Sequence, residues 1–371
     1  LQPPFPYKNV VLSHNGNILN MNELSDQRWE GDGQFLAWYL QNLIEEQGLV
    51  EGVRTLMQTV DGSYSVSGIL DSEKIFAFRD PRGIRPLVFG KNSDAFAFAS
   101  ETLPLRYLDF NLQGIRDVHP GELIVIENEA MESYQLFSQP HKHCAFEWVY
   151  FSSPSSLIEG KLIYEVRKHL GKHLEKLLRS RGLSGIDYRT EVPDTSRPAV
   201  DAMSLAERAE MVIRDRYISG RTFIMRSQEE RELKAKVKYN FNPIPGAKNI
   251  LVVDDSIVRG TTMREIVASL RKAHDGAKIN VASTFPPIRY PCYYGIDFAS
   301  KGELIAADKS IEEIKEELDA DTLTYMTKER LKNAIGFDDL CTACINGDFP
   351  TEKGKAIYKN PRGNERDYEA D

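Results

Sequence analysis

One segment of thirteen residues constrains the fold of this chain more than any other. Residues 250–262 read ILVVDDSIVRGTT, in which a buried strand ends in two carboxylates and a loop of small residues opens a helix predicted over 261–272. A helix N-terminus presents unpaired N–H groups and the positive end of its dipole. Gly260, Thr261 and Thr262 are therefore candidates for binding a phosphate.

The two carboxylates of this segment are Asp254 and Asp255. Paired acids beside a phosphate site suit ribose hydroxyls or a Mg²⁺ that bridges to pyrophosphate oxygens, because this hard cation prefers a few carboxylates plus substrate oxygens. The alternative is an ordinary turn between strand and helix, with an aspartate as the helix cap. The acid pair alone favours the turn, whereas the whole segment favours a phosphate site.

The pattern along the chain changes near residue 140. Before it, apolar residues follow a period of two, which predicts short strands interrupted by one helix. After it, helices alternate with buried strands, which is typical of a parallel α/β sheet. The predicted strands are 74–79, 95–99, 122–126, 249–253 and 279–284, and the predicted helices are 34–47, 161–180 and 261–272. We predict one domain over 1–139, a second over 140–350, and a polar tail over 351–371.

Composition excludes several classes of protein. Of the 371 residues, 41% are hydrophobic and 27% are charged, which is ordinary for a folded protein. The formal net charge of -8 disfavours nucleic acid as a partner. No apolar run approaches the ~18 residues of a membrane span, and the start lacks a signal-peptide pattern. We expect a cytoplasmic protein without a membrane partner.

Residues 250–262 resemble the phosphoribosylpyrophosphate (PRPP) loop of type I phosphoribosyltransferases. Residues 192–196, VPDTS, resemble the pyrophosphate loop of that family, and residues 216–224, RYISGRTFI, resemble the region leading to its flexible lid. Together they are similar to the glutamine PRPP amidotransferase family. The resemblance implies a Mg·PRPP site with Ser196, Asp254 and Asp255 toward the metal. It implies that PRPP is bound by Asp194, Thr195, Arg221, Asp254, Asp255, Ser256, Arg259, Gly260, Thr261 and Thr262.

Three segments of the first part are turns when taken alone. They are residues 14–17, 79–86 and 99–102, and Asn15-Gly16 in particular is typical of a hairpin. All three are similar to the N-terminal-nucleophile (Ntn) glutaminase domain of the same family. The resemblance implies that the Asn15 side chain and the Gly16 N–H form an oxyanion hole, and that Asp32 holds the amine of glutamine.

The fold class that follows combines α+β and α/β parts. We expect a partial Ntn glutaminase domain followed by a type I phosphoribosyltransferase domain with a parallel sheet. The family's glutaminases use an N-terminal cysteine, whereas this chain begins at Leu1 and has no cysteine before Cys144. We therefore expect the first domain to be incomplete at its N-terminus and inactive toward glutamine. Residues 197–216 are also shorter than in the family, which puts one strand of the parallel sheet in question.

The chain has four cysteines. Cys341 and Cys344 form a C-x-x-C pair, and Cys144 and Cys292 are distant from it and from each other. Free thiols, a Cys₄ zinc site and a [4Fe–4S] cluster all use such a set. The contexts of all four are similar to the cluster-binding subgroup of the amidotransferases. The resemblance thus implies a [4Fe–4S] cluster on these four residues, in addition to Mg²⁺ at the PRPP site.

The resemblance implies formation of 5-phosphoribosylamine from PRPP and glutamine-derived ammonia, the first step of purine biosynthesis. It also implies a homo-oligomer that purine nucleotides inhibit. Two alternatives stay open. One is a salvage phosphoribosyltransferase that uses a purine base, and the other is a PRPP-binding regulator or inactive pseudo-enzyme.

Overall fold

The computed structural model describes residues 3–215, 238–298 and 300–360. Its first part is built on a six-stranded antiparallel sheet in the order β1-β2-β3-β4-β8-β9. The bounds of its strands are β1 Phe5–Tyr7, β2 Val10–Ile18, β3 Gly62–Leu70, β4 Lys74–Arg79, β8 Glu122–Glu127 and β9 Ala130–Gln135. The central strands β3, β4 and β8 are buried along most of their length and the edge strand β9 is mostly exposed, so buried and exposed residues alternate only at the start of β2.

One face of this sheet packs on a smaller three-stranded sheet. The smaller sheet has the order β6-β5-β7, with β5 Val88–Lys91, β6 Phe96–Ala99 and β7 Ile115–Asp117. Between the two sheets lies an apolar cluster that includes Ala77, Leu87, Phe89, Val118, Ile124 and Ile126.

Two helices contribute to the apolar core on the strands of the large sheet, where the sequence predicts only one. Asp32–Gln47 is the predicted helix, and Leu49–Thr59 is a second helix that the prediction missed. Gly48 separates them with a φ of 79°, a conformation in which glycine is unstrained. In the second helix Gly52, Val53 and Leu56 are buried at helical spacing. The period of 3.6 was therefore present in the sequence.

The second part is built on a five-stranded parallel sheet in the order β14-β13-β17-β18-β19. The strand that the short 197–216 segment put in question is present as β14, a two-residue edge strand. The bounds are β13 Tyr188–Glu191, β14 Glu207–Arg208, β17 Asn249–Asp254, β18 Lys278–Ser283 and β19 Thr322–Tyr325. The helices of this part are Ile163–Ser180, Arg197–Asp201, Thr261–Ala273, Ile311–Glu317 and Lys328–Ile335.

Short elements join the two parts and close the chain. The parallel pair β10 His143–Cys144 and β20 Leu340–Cys341 ties residue 144 to residue 341. The helix Glu352–Lys359 lies where the sequence predicts a polar tail, so that prediction is wrong for these residues; residues 361–371 lie outside the described part of the chain. Other elements are β11 Leu157–Ile158, β12 Lys161–Leu162, β15 Val212–Arg214, β16 Tyr239–Phe241, the π-helix Glu147–Phe151, the 3₁₀ turns Leu112–Gly114 and Lys301–Glu303, and the helices Met21–Leu24, Thr102–Tyr107 and Ala343–Asn346.

Among the described residues, no helix combines the length and the apolar character that a membrane span requires.

Candidate active site

The two predicted loops of the phosphate site meet at the carboxyl end of the parallel sheet. Asp254 ends β17, and the Ser196 hydroxyl lies 3.5 Å from its Oδ1. The Asp255 N–H donates to the same Oδ1 at 2.8 Å, and the Ser256 hydroxyl donates to Asp255 Oδ1 at 2.7 Å. The structure thus brings residues 192–196 against residues 254–256, as a site spanning both loops requires.

The acid pair is buried, which sets its electrostatics. Asp254 and Asp255 are each 8% exposed. Burial, together with the neighbouring Asp255 carboxylate, raises the pKa of Asp254 well above its ordinary value. Burial raises the pKa of Asp255 to about 6, and its hydrogen bond from Ser256 and the charges of Arg167 and Lys238 oppose the rise. Two buried carboxylates at one point favour a divalent cation, so this donor set fits Mg²⁺.

Gly260 lets the chain turn from this loop into the helix Thr261–Ala273. Its φ is 76°, and a Cβ built on it would lie 2.3 Å from the Ile305 Cδ1 atom. Among the described residues, no side chain caps the first turn of this helix. Its first N–H groups therefore face the loop unpaired by side chains, which is the arrangement that binds a phosphate.

The other predicted PRPP-binding residues take different positions. Asp194 is exposed and forms an ion pair with Arg214 at 3.2 Å, while Thr195 beside it is half-buried. Arg259 forms an ion pair with Glu303. Thr261 and Thr262 are half-buried at the helix start, and Arg221 lies outside the described residues.

Asn15 and Gly16 lie within a strand, so the interpretation of this dipeptide as a turn is wrong. Both belong to β2, where Asn15 is paired with Ser65 and Gly16 with Tyr64. Gly16 has a φ of 148°, and a Cβ on it would lie 2.0 Å from the Ser63 carbonyl oxygen. The neighbouring strand leaves no room for a side chain, so glycine is required there.

His14 and Asn15 have different neighbours, because successive side chains of a strand point to opposite faces. His14 Nδ1 lies 3.6 Å from Oδ1 of Asp32, the first residue of its helix. The Asn15 side chain instead accepts a hydrogen bond at Oδ1 from Arg85 Nε, at 3.2 Å. Asp32 thus contacts the residue that precedes the candidate oxyanion pair.

All four cysteines line one cavity. Cys144 and Cys341 are direct partners in the β10–β20 pair, and Cys344 follows in a short helix. Cys292 comes from the loop after β18, and its sulfur accepts a hydrogen bond from the Tyr294 N–H at 3.3 Å. The remaining lining is mostly apolar: Ile84, Phe146, Tyr294, Ile296, Phe298 and Ala343.

The spacing and chemistry of these sulfurs suit a cluster. In the described part of the chain, one group of three potential ligands has donor atoms that all lie within 4.8 Å of one another, and it consists of His141, His143 and Asp339. No three of the cysteine sulfurs are therefore that close together. A single tetrahedral zinc with Zn–S bonds of about 2.3 Å would hold sulfurs about 3.8 Å apart. Burial raises the pKa of Cys144 to about 12, so the thiolate form needs a cationic centre beside it.

The His141, His143 and Asp339 group is a feature that the sequence reasoning missed. The Trp148 Nε1–H donates to His143 Nδ1 at 3.0 Å, which leaves the proton of a neutral imidazole on Nε2. That Nε2 lies 3.4 Å from Asp339 Oδ1. A protonated nitrogen cannot ligate a metal, so the contacts favour a hydrogen-bonded support for the β10–β20 pair.

Comparisons with known proteins agree with this geometry. Residues 1–106 match the family model of the glutamine amidotransferase domain. The chain is 41% identical to an amidophosphoribosyltransferase of Pyrococcus horikoshii over 92% of this chain and 76% of the relative. It is 37% identical to that of Bacillus subtilis over 92% of this chain and 74% of the relative. The chain belongs to the amidophosphoribosyltransferase family.

Solved structures of the amidophosphoribosyltransferase family share the fold. A glutamine PRPP amidotransferase from B. subtilis, complexed with ADP and GMP, superimposes with a TM-score of 0.81 at 34% identity and covers 95% of this chain and 80% of that one. A structure described as the allosteric regulatory enzyme of purine biosynthesis gives the same TM-score and covers 94% of this chain and 78% of that one. The predicted family, fold class and enzyme class are confirmed.

Three buried charged residues near the candidate site residues were not predicted. Arg85 and Glu147 form an ion pair at 3.0 Å, and Arg167 donates to the Ser152 carbonyl oxygen at 2.6 Å. Burial lowers the pKa of Arg167 to about 10, against the charges of Asp255 and others. Arg85 lies in the motif 79–86, and Glu147 follows Cys144 closely. The available signal in the sequence was therefore a charged residue within or beside a motif.

Proposed function

We propose that this chain forms 5-phosphoribosylamine by transferring ammonia to C1 of PRPP, in the phosphoribosyltransferase domain over residues 140–350. The observation that carries the proposal is the contact between Ser196 and Asp254, because it brings the candidate pyrophosphate and PRPP loops to one point. The buried acid pair and the uncapped helix start lie at the same point.

The proposed step forms a bond between the ammonia nitrogen and C1 and breaks the bond between C1 and the pyrophosphate oxygen, which leaves with the electron pair. The positively charged nitrogen then releases one proton to water to give the amine. The N–H groups at residues 260–262 hold the 5′-phosphate of the substrate. Asp254 and Asp255 accept hydrogen bonds from the ribose hydroxyls, and residues 194–196 bind the pyrophosphate. Positioning and charge neutralisation account for the rate, since no protein nucleophile takes part.

Mg²⁺ is the metal we propose for this site, with Asp254, Asp255 and Ser196 as the residues that would hold it. When bound, the ion neutralises charge on the leaving pyrophosphate. Lys238, which interacts electrostatically with both carboxylates, adds a positive charge on the same side of the site.

We propose that residues 1–139 carry the oxyanion-hole and amine-binding part of a glutaminase site. The support is the position of Asn15 in β2, where an amide side chain and the Gly16 N–H lie beside each other on one strand. An oxyanion hole consists of such paired donors. Asp32, which contacts His14, is proposed to hold the amine of glutamine.

For the four cysteines we propose a [4Fe–4S] cluster with a structural role. Four cysteine sulfurs that line one mostly apolar cavity, spaced too widely for one zinc ion, support it. The expected result for the anaerobically purified chain is about four irons and four sulfides per chain. Stoichiometric zinc without iron, or no metal, would contradict the cluster.

The test of the transferase proposal is PRPP-dependent release of pyrophosphate with ammonium chloride as the nitrogen donor. We expect release that requires Mg²⁺ and is lost in Asp255→Asn, whereas Asp275→Asn, at an exposed position of the same domain, keeps it. Silence with ammonium chloride and with glutamine, despite PRPP binding, would favour a PRPP-binding regulator. Release that requires a purine base would favour a salvage enzyme.

Regulation and assembly are proposed from the same family. The B. subtilis structure is complexed with ADP and GMP, and we propose that purine nucleotides inhibit this chain and that it forms a homo-oligomer. Addition of GMP and ADP to the ammonia-dependent assay and the mass of the protein in solution test the two proposals separately.

A further inference from the structure

Arg85 is a buried arginine at the junction of three features of the molecule. Its side chain is 8% exposed, and its Nε donates to the Oδ1 atom of Asn15 at 3.2 Å. Its NH1 lies 3.0 Å from Glu147 Oε1, and its guanidinium interacts electrostatically with Cys144 and Cys292. One side chain thus contacts the candidate oxyanion residue, the second domain and the cysteine cavity.

The contact with Asn15 determines how its amide is oriented. A guanidinium carries only donors, so it can face the carbonyl oxygen of an amide but never the NH₂ group. With Oδ1 turned to Arg85, the Nδ2 of Asn15 lies on the opposite edge of the planar amide group. The N–H donors that an oxyanion hole needs are therefore turned away from Arg85.

Arg85 is itself held in place from two directions. Its carbonyl oxygen accepts hydrogen bonds from the Ser65 hydroxyl at 3.0 Å and from Arg79 Nε at 2.7 Å. Ser65 is the cross-strand partner of Asn15, so the backbone of Arg85 is fixed relative to β2. Glu147, whose Oε2 accepts from the Ser152 hydroxyl at 3.1 Å, fixes the guanidinium from the second domain.

We propose that Arg85 is a positioning residue for the oxyanion hole of the glutaminase site: it fixes the Asn15 amide with the nitrogen toward the position of the oxyanion, and Glu147 of the second domain holds the Arg85 guanidinium in place. The proposal rests on the proposed role of Asn15 in the glutaminase domain. It makes the orientation of one donor in the first domain depend on a carboxylate in the second.

The experiment measures hydrogen exchange of asparagine side-chain amides by NMR in the full chain with ¹⁵N-labelled asparagine. Asn15→Ala identifies the Asn15 signals. In Arg85→Met we expect the Asn15 amide hydrogens to exchange about tenfold faster, because the hydrogen bond that holds Oδ1 is lost and the amide group is then free to rotate. Asn17 is an internal control, since its Nδ2 donates to the Tyr293 carbonyl oxygen at 3.0 Å and does not depend on Arg85.

The matched control is Arg54→Met, which removes a partly exposed arginine of the same domain. We expect it to change the amide exchange of neither Asn15 nor Asn17. Unchanged Asn15 exchange in Arg85→Met would overturn the proposal, as would equal acceleration of Asn15 and Asn17, which indicates general loosening. If Arg85→Met does not fold, Glu147→Gln is the variant that tests the proposal. It must accelerate the amide exchange of Asn15 more than that of Asn17. The readout needs no turnover, so absent pyrophosphate release in the unmodified chain would count against the proposed function alone.

Discussion

At the scale of single residues, the acid pair shows how burial prepares a carboxylate for a ligand. Neither Asp254 nor Asp255 is paired with a cation by a direct hydrogen bond among the described contacts, and both are nearly buried. An isolated buried carboxylate costs free energy, which a bound cation recovers. The unliganded protein is therefore less stable at this point than a protein with an uncharged side chain there.

Asp255→Asn is expected to stabilise the unliganded chain near neutral pH while abolishing ammonia-dependent activity. The folded-state pKa of Asp255 is about 6, above its ordinary value, so the folded chain binds this proton more tightly than the unfolded chain. The stability from that proton is present below about pH 4 and is lost as pH rises through 6. We expect a gain of about 3 kcal/mol at pH 7.5 and little gain at pH 4.

Urea unfolding of the metal-free chain at both pH values checks this prediction, with Asp275→Asn as the control that changes neither curve. Equal effects of Asp255→Asn at pH 4 and pH 7.5 would show that the charge of the carboxylate is not the cause. A loss of stability at pH 7.5 would mean that its hydrogen bond from Ser256 matters more than its burial.

Gly260→Ala and Gly276→Ala form a matched pair for the phosphate loop. Both glycines have positive φ, 76° and 70°, but a Cβ meets Ile305 at Gly260 and nothing within 4 Å at Gly276. Each alanine costs about 1–2 kcal/mol for its backbone conformation. The contact at Gly260 adds about 1–3 kcal/mol of overpacking.

The expected result is a lower unfolding temperature in both variants, with a larger decrease in Gly260→Ala. Ammonia-dependent pyrophosphate release should fall at least tenfold at subsaturating PRPP in Gly260→Ala and stay near normal in Gly276→Ala. Similar activity in the two variants would argue against phosphate binding at the start of this helix.

At the scale of elements, the last described helix is part of the core rather than a tail. Ile357 of Glu352–Lys359 is 6% exposed and belongs to one apolar cluster with Leu19 and Ile84 of the first domain and Cys341 of the second. We expect Ile357→Ala to lower the free energy of unfolding by about 2–4 kcal/mol. Lys359→Ala, at an exposed position of the same helix, should change it by less than about 0.5 kcal/mol.

Urea unfolding followed by circular dichroism measures both variants. A small effect of Ile357→Ala, similar to that of Lys359→Ala, would show that the helix does not stabilise the junction.

The predicted elements lie close to their expected bounds, whereas helices with and without a clear period were missed. β4 occupies the predicted residues 74–79, and the helix predicted over 261–272 ends one residue later. Glu352–Lys359 was missed because only Gly354 and Ile357 are buried in it, which is too few apolar positions for a period. A mostly polar helix can pack on the core through a single apolar side chain, and hydrophobic periodicity does not reveal such a helix.

The residues of the candidate site also divide into those that the sequence predicted and those that it did not. Motifs of consecutive residues, such as 250–262, predicted a phosphate loop, and the structure places these residues at the end of β17 and the start of the next helix. Gly16 was named, but its confinement by Ser63 depends on the pairing of β2 with β3. Arg85 and Glu147 meet across 62 positions of sequence and were not predicted, because no local pattern encodes a contact between domains.

At the scale of the whole molecule, the loop that carries Cys292 connects the cysteine cavity to the first domain. The Tyr293 carbonyl accepts from Asn17 Nδ2 at 3.0 Å, and the Tyr294 carbonyl accepts from the Ser63 hydroxyl at 3.0 Å. A Cβ on Gly295 would lie 2.8 Å from the carbonyl oxygen of Gly16. The loop therefore packs directly on the strand that holds the candidate oxyanion residues.

This arrangement predicts that loss of the proposed cluster loosens a strand in the other domain. In Cys344→Ser we expect iron to be lost and the amides of β2, Val10–Ile18, to exchange with deuterium faster, because the Cys292 loop is no longer held from its far side. The amides of β18, Lys278–Ser283, lie in the middle of the parallel sheet and should exchange as before. Exchange measured by mass spectrometry compares the two peptides in one sample. Unchanged exchange in β2 after iron loss would mean that the loop keeps its position without the cluster, and that the cysteines stabilise the second domain alone.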